Sequence, residues 1–147
     1  MRKISFHYLS KTSGIQAKRL KAFLLSQLDT LDRAKGIDIR VIFVDDETLW
    51  AMNKLHLNHD YYTDILTFVV SSEPDHLTAE LYISVDRVKD NAKQFKQAYT
   101  TELTRVIFHG VLHVLGHADE TPAQKQSMTE LENVWLAQYT HFLRFAN

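Results

Sequence analysis

The chain has 147 residues, of which 45% are hydrophobic and 24% charged, and its formal net charge is −1. This composition predicts one globular domain over residues 1–147, and the near-neutral charge excludes a protein that coats nucleic acid through bulk electrostatics. The absence of cysteine excludes disulfide bonds and thiolate catalysis, so a transition metal would need imidazole and carboxylate ligands. The first residues lack the apolar run of a signal peptide, and no segment reaches the roughly 18 apolar residues that cross a bilayer. We therefore expect a cytoplasmic protein with no membrane partner.

The first half of the chain predicts two successive strand–helix units. Apolar residues alternate over residues 4–8 as in a strand, and a helical pattern then continues until Gly36. The apolar residues of that helical pattern are Leu20, Phe23, Leu24, Leu28 and Leu31. Residues 38–44 predict a buried strand, after which Asp45 or Asp46 can cap a second helix. The side chains that this helix is expected to bury are Leu49, Met52 and Leu55.

Charge is unevenly distributed along the chain. Residues 1–40 carry nine Lys or Arg and three Asp, a net charge of +6, whereas the remaining residues carry a net charge of −7. We interpret the basic residues of the first helical segment as its solvated face, and a docking surface for phosphates is the alternative. These residues are Lys18, Arg19, Lys21, Arg33 and Lys35.

The second half predicts two strands followed by helices. The apolar runs 65–70 and 81–85 are separated by a predicted loop, residues 71–80, whose length suits neighbouring strands of one sheet. The pattern is helical from Asp86 to about Tyr99, and a nearly all-apolar central helix then begins at Thr100. A last helix is predicted from its capping residues and its apolar stripe: Thr121, Pro122 and Gln124, then Met128, Leu131, Trp135 and Tyr139. The whole predicts an α/β or α+β fold with about four strands and five helices.

A pair of histidines on the central helix is the main functional signal. His109 and His113 are four residues apart, so they project from the same face of a helix that is expected to be buried and can share an ion. The structural alternative is a pair of core histidines whose nitrogens find hydrogen-bond partners. Gly116 is placed to end the helix in a left-handed turn and bring the chain back toward the pair. The candidates for a third ligand are Asp119, which we rank first, then His117 and Glu120.

Two histidines and one carboxylate leave a fourth coordination position for water, as in catalytic zinc sites, so hydrolysis is the expected reaction. Zinc peptidases carry a glutamate base directly after the first histidine, but here that position is Gly110. A peptidase mechanism therefore lacks its proton acceptor. A glycine inside a helix costs about 1 kcal/mol relative to alanine, which is consistent with a close approach of another backbone or of substrate at this point.

Two linked motifs resemble those of the YbeY-type metal-dependent endoribonucleases. The family signature HGxLHLxGYDH is similar to HGVLHVLGHAD, which begins at His109, and the preceding family segment NxxYRxxDxPTDVLSF is similar to residues 53–68. Residues 79–84, AELYIS, resemble the family's GDIxIS strand. The resemblance implies a small sheet packed with helices around a zincin-like zinc site. It also implies cleavage of single-stranded RNA in maturation of ribosomal RNA, including the 16S 3′ end, and a role in ribosome quality control, with no DNA substrate.

Two positions depart from the family pattern. The family's third histidine corresponds to Asp119 in this chain, and His117 follows the glycine in place of tyrosine. A carboxylate ligand lowers the positive charge of the site, so Mn²⁺ or Fe²⁺ are alternatives to Zn²⁺. Leu57 stands where the family has an arginine that is expected to grip phosphate. Lys54 or basic residues of the first helix are candidates to replace that arginine, whose charge can contribute several kcal/mol to transition-state binding.

The remaining polar residues near these motifs have simpler interpretations. We interpret His56, His59, Asp60 and Asp64 as loop and capping residues, and the alternative is that Asp64 or His59 orders substrate or water beside the cleft. Glu102 lies about 10 Å before His109 along the helix and is interpreted as compensating the charge of the helix N-terminus.

The functional hypothesis is an endoribonuclease in which His109, His113 and Asp119 are the catalytic residues and the metal ligands. The first alternative is a ribosome-associated assembly factor with a structural metal ion and little nuclease activity, which Leu57 favours. The second is hydrolysis of another ester or amide, because three ligands and a water molecule do not specify a substrate.

Overall fold

The computed structural model describes residues 1–31 and 36–145 of the chain. In this range four strands and five helices follow one another: β1 (Arg2–Tyr8), α1 (Ala17–Asp29), β2 (Gly36–Val44), α2 (Asp46–Leu57), β3 (Ile65–Glu73), β4 (His76–Ser84), α3 (Val85–Gln94), α4 (Tyr99–Val114) and α5 (Pro122–Phe145). The α+β fold class predicted from the sequence is confirmed. No helix in the described ranges is long and apolar enough to cross a membrane.

The four strands form one sheet in the order β1-β2-β4-β3. The first three of these pair in parallel, and β3 pairs antiparallel with β4 at the sheet edge. The loop predicted over residues 71–80 is wrong, because β3 continues to Glu73 and β4 begins at His76, so that the two strands form a hairpin. The polar residues 71–73 belong to the outer part of the edge strand β3, where no apolar signal is required, whereas residues 76–80 belong to β4, which lies between β2 and β3.

The core lies mainly on one face of the sheet, where α1, α3, α4 and α5 contribute apolar side chains. A smaller cluster lies on the other face, where Leu49 of α2 packs on Ile42, Val44 and Leu66. The predicted burial of Leu55 is wrong, since its side chain is 79% exposed. Leu49 is buried as predicted and Met52 is half-buried, and the second buried residue of α2 is Asn53.

Helix α1 confirms part of the charge interpretation. Its apolar face is buried, whereas Lys18 and Lys21 are exposed to solvent and Arg19 donates to the carbonyl oxygen of Leu143 in α5. The predicted basic residues Arg33 and Lys35 lie outside the described residues, as does the predicted continuation of the helical pattern beyond Leu31. Lys18 and Lys21 are therefore solvated as predicted, whereas Arg19 is half-buried against α5.

Helix α4 is the central element and contacts α3, α5, β3 and β4. It begins at Tyr99, whereas the preceding helix ends at Gln94, five residues earlier than predicted. Lys96, with a φ of 53°, lies in the connection that separates the two helices. The predicted capping box of α5 is confirmed, because Gln124 N–H donates to Thr121 Oγ1 (3.1 Å) and Gln124 Oε1 accepts from Thr121 N–H (3.1 Å).

Candidate metal centre

The structure brings His109, His113 and Asp119 together. Asp119 Oδ2 lies 3.3 Å from His109 Nε2 and 3.4 Å from His113 Nε2. Four ligands that bind zinc tetrahedrally at about 2.1 Å lie about 3.4 Å from one another, so the spacing fits a common ion. One ligand atom from each of the three residues lies within 4.8 Å of the others, and this group could hold a metal ion.

The local sequence explains how the three side chains meet. His109 and His113 lie one turn apart on α4, with ring centroids 4.5 Å apart. The helix ends at Val114, and Gly116 follows it in the predicted left-handed conformation, with a φ of 100° that is unfavourable for other residues. The chain then returns and places Asp119 above the histidines, whereas His117 is exposed and stands outside the group.

The two histidines are less buried than the apolar sequence around them predicts. Their side chains are 25% and 27% exposed, because this face of α4 lines an open cavity instead of packing against another element. The cavity has a volume of about 800 Å³, which is wide enough for a segment of a flexible polymer. Water and substrate can therefore reach the candidate ligands.

Glu132 is a site residue that the sequence analysis missed. Its carboxylate accepts a hydrogen bond from His109 Nδ1 at 2.7 Å, which leaves His109 Nε2 free to face Asp119 and the cavity. Arg105 in turn donates to Glu132 at 3.0 Å and to Asn133 at 2.8 Å. A carboxylate that fixes the orientation of a ligating histidine in this way is a recurrent part of metal sites. Its signal in the sequence is an acidic residue on the apolar stripe of α5, between Met128 and Tyr139.

The ionisable groups of the cavity shift one another's pKa. Burial opposes the charged form of His109, but the hydrogen bond with Glu132 and the nearby carboxylates outweigh it and raise the pKa of His109. Burial also raises the pKa of Asp64, although the charge of His109 and the backbone N–H groups act in the opposite direction and lower it. Burial and the charge of Asp64 together raise the pKa of Glu102. The cavity is thus an acidic environment that favours cationic partners.

Two acidic residues have a different environment from the one expected. Asp64 lines the cavity and accepts a hydrogen bond from Asn91 at 3.2 Å, in agreement with the cleft-bordering alternative. Glu102 is 4% exposed and also lines the cavity, so its interpretation as compensating the charge of the helix N-terminus is incomplete. His59 and Asp60 instead make loop contacts, to Tyr61 (3.1 Å) and to Trp50 (3.0 Å) respectively.

Leu57 lines the rim of the cavity with an apolar side chain that is 43% exposed. The residues expected to replace the missing arginine do not belong to the described lining of the cavity. The ammonium of Lys54 lies over the ring of Trp50, 5.1 Å from its centroid, and no described residue of α1 lines the cavity. Arg105 is the cation of the described lining, and Glu132 and Asn133 already bind it. His56 faces Phe68 in a separate small pocket.

Comparison with known proteins gives a consistent picture. A family model described as "Endoribonuclease YbeY" matches residues 6–140. A protein of that name from Bacteroides thetaiotaomicron is 46% identical over 68% of this chain and 72% of its own length, and one from Bacteroides fragilis is 43% identical over 86% of this chain and 90% of its own length. The fold is similar to a solution structure from Thermotoga maritima, with a TM-score of 0.65, 24% identity and coverage of 98% of this chain and 92% of that chain.

Proposed function

Because the chain belongs to the YbeY endoribonuclease family, we propose that it cleaves single-stranded RNA with a metal ion bound by His109, His113 and Asp119. The observation that carries the proposal is the spacing of 3.3 Å and 3.4 Å between Asp119 Oδ2 and the two imidazole nitrogens, at the wall of an open cavity. Zn²⁺ is the proposed ion because two imidazoles and one carboxylate are a ligand set of catalytic zinc sites.

A zinc ion held by three ligands would supply a water of lowered pKa and a Lewis acid for the phosphate. The residues of the chain have separate tasks around it. Glu132 fixes the tautomer and the orientation of His109, and Arg105 fixes Glu132. The open cavity admits the strand beside the three ligands. Asp119 and the two imidazole rings would hold the ion and leave a coordination position for water or substrate.

The proposed biological substrate is ribosomal RNA, at the 3′ end of the 16S species, with an associated role in ribosome quality control. The relatives, which are named endoribonucleases and align over most of their own length, support RNA as the substrate. The ribosomal species and the role in quality control are what the resemblance to the family motifs implies. The ribosome is therefore the proposed partner, and the cytoplasm is the proposed place of action.

The test is cleavage of an end-labelled single-stranded RNA by the purified chain, with metal content measured on the same sample. His113→Ala is expected to lose both the bound metal and the cleavage, because two ligands remain of three. His117→Ala is the matched control and is expected to retain both, since this exposed histidine lies outside the ligand group. Cleavage that persists in the metal-free His113 variant would contradict the proposal. Loss of metal in the His117 variant would move the third ligand to that residue.

A specific observation keeps the ribosome assembly factor as a second candidate. The cavity rim presents Leu57 where the family pattern has arginine, and the cation of the described lining is already bound by two partners. A folded His113→Ala variant distinguishes the two functions. If it binds ribosomal particles as the unmodified chain does but no longer cleaves RNA, the nuclease is favoured. The assembly factor is favoured by a different pair of results. The unmodified chain would contain metal but cleave RNA no faster than the variant, and the variant would lose ribosome association.

A further inference from the structure

The charge of the cavity is not balanced by one divalent ion. Its described lining contains the carboxylates of Asp64, Glu102, Asp119, Glu120 and Glu132 and the guanidinium of Arg105. Arg105 and Glu132 form an ion pair at 3.0 Å, which leaves four carboxylates. A single divalent ion at the histidines offsets two of these charges. A remaining charge of −2 would repel an RNA strand, whose every phosphate is negative.

Glu102 is the buried carboxylate in the described lining of this cavity whose charge has no partner. Its side chain is 4% exposed and lines the cavity, yet within the described ranges its carboxylate makes neither a hydrogen bond nor an ion pair. Arg105, one turn further along α4, acts on Glu102 only through its charge, because its guanidinium is bound to Glu132 and Asn133. A buried carboxylate of this kind is costly unless a cation or a proton balances it.

Asp64 presents a second carboxylate to the same space. It is held at the start of β3 by Asn91, which donates at 3.2 Å, and by the backbone N–H groups of Asp64 and Ile65. The charge of Asp64 acts on Glu102, which places both residues in one electrostatic environment. The two side chains come from different elements, α4 and the segment before β3, and both line the same cavity.

We propose that Asp64 and Glu102, here called the inner carboxylates, bind a second divalent cation of the hard, oxygen-preferring class, such as Mg²⁺ or Mn²⁺. Cations of this class use one or two carboxylates, keep several water molecules and complete their shell with substrate phosphates. The inner carboxylates themselves offer oxygen ligands only, which disfavours zinc at this position. This proposal rests on the proposed function in one respect, namely that the substrate beside the cation is RNA. Binding of the cation can be measured whether or not the chain cleaves RNA.

The second cation is distinct from the ion at the histidines. Glu102 precedes His109 by seven residues, which is about 10 Å along the helix axis, so the two ions do not form a bridged pair of the kind that lies about 4 Å apart. Its role is to neutralise the inner part of the cavity. A neighbouring phosphate of the strand can then lie beside Glu102 while the scissile phosphate lies at His109 and His113.

The experiment counts Mn²⁺ bound to the full chain after the histidine site has been loaded with one equivalent of Zn²⁺. Free Mn²⁺ is measured by its electron paramagnetic resonance signal, and zinc is measured in the same sample. The unmodified chain is expected to bind one Mn²⁺ without losing zinc. Glu102→Gln is expected to lower the Mn²⁺ affinity by at least about tenfold, since it removes a direct ligand. Asp64→Asn is a second variant with the same expectation, in case the first one does not fold.

Glu120→Gln is the matched control, because it removes the same formal charge from the lining of the same cavity. It is expected to keep the Mn²⁺ site. Equal weakening by the Glu120 and Glu102 variants would show diffuse attraction and overturn the proposal, as would an unmodified chain that binds no Mn²⁺. If zinc binding or RNA cleavage fails while the Mn²⁺ count holds, the proposed function is wrong and the second site stands.

Discussion

Glu132 has two contacts that make it a positioning residue. Its two oxygens bind different groups, since Oε2 accepts from His109 Nδ1 at 2.7 Å and Oε1 accepts from Arg105 at 3.0 Å. The first contact determines which ring nitrogen of His109 faces the cavity, and the second holds the carboxylate in place. Loss of the negative charge therefore weakens the basicity of His109 as a ligand and loosens its orientation.

Glu132→Gln is expected to lower zinc affinity by about 10- to 100-fold, the usual effect of removing a carboxylate behind a ligating histidine. The amide keeps the size of the side chain, so the fold is retained. Competition with a chromogenic chelator measures the affinity. Glu130→Gln, an exposed change two residues away on α5, is the control and is expected to bind zinc as the unmodified chain does. Equal affinity in both variants would contradict the positioning role.

Glu102 makes the stability of the metal-free chain depend on pH in a defined direction. Burial and the charge of Asp64 raise the pKa of Glu102 above its ordinary value of 4.5. A raised carboxyl pKa means that the ionised form destabilises the folded state, so stability falls as pH rises through the folded-state pKa. Below pH 4.5 the group is protonated in both states and has no effect.

Glu102→Gln is therefore expected to be more stable than the unmodified chain at pH 7 to 8 in the presence of a chelator, and this advantage is expected to vanish as the pH approaches 4.5. Urea unfolding at several pH values measures the difference. Asp64, Arg105 and Glu132 also act on this carboxyl and remain unchanged in the variant. Constant stability differences across the pH range would contradict the assignment of this effect to Glu102.

At the scale of single residues, the sequence predicts the candidate ligands but not the residues that orient them. His109, His113 and Asp119 follow from helix periodicity and from the glycine that ends α4, all within eleven consecutive residues. Glu132 comes from another helix, and its contact with His109 depends on how α4 and α5 pack. Packing of this kind has no local signal in a single sequence.

Helix α4 lies unusually close to the sheet at Gly110. A Cβ atom at this position would lie 2.6 Å from Ile65 Cδ1 and 2.8 Å from Leu81 Cδ1. Leu81 is fully buried in β4, so its side chain has little room to move. The absence of a side chain at Gly110 thus allows the helix to approach the strands, and this explains a glycine next to a candidate ligand as a packing requirement.

Gly110→Ala is expected to destabilise the chain although alanine is the better helix former. The gain in helix propensity is about 1 kcal/mol, whereas overpacking in a closed core typically costs about 1–3 kcal/mol. We expect a net loss of about 1 kcal/mol, seen as a lower midpoint of urea unfolding with an unchanged slope. Ser127→Ala, at an exposed position of α5, controls for propensity and is expected to be neutral or slightly stabilising. A Gly110 variant that is more stable than the unmodified chain would contradict the packing argument.

At the scale of elements, the sequence predicts buried elements well and edges poorly. Helix α4 and strand β2 have continuous apolar runs, and both lie within a residue or two of their predicted positions. The apolar pattern predicts only residues 65–70 of β3. The polar residues 71–73 extend this strand along an exposed edge of the sheet, where polar side chains give no strand signal. Pairing with β4 stabilises that part of the strand, and pairing is a tertiary effect that a local pattern does not contain.

At the scale of the whole molecule, the three candidate ligands connect parts of the chain that only folding brings together. His109 and His113 belong to α4, whose apolar face is buried against the sheet, and Asp119 belongs to the connection between α4 and α5. Glu132 of α5 accepts a hydrogen bond from His109 and so connects α5 to the candidate ligands. An ion bound by these residues therefore binds the folded state, and the free energy of binding adds to the stability of the whole fold.

Zinc is expected to raise the melting temperature of the chain and chelation to lower it again. At a free zinc concentration of about 100 times the Kd, the folded state gains about 2.7 kcal/mol, which corresponds to roughly 5–10 °C for a chain of this size. Zinc binding by the eight histidines of the unfolded chain reduces this gain, although the sequence has no cysteine to bind zinc more strongly. Differential scanning fluorimetry with zinc and then with a chelator measures the shift. His113→Ala is expected to melt at the same temperature with and without zinc, so an equal rise in this variant would place the stabilising ion elsewhere in the molecule.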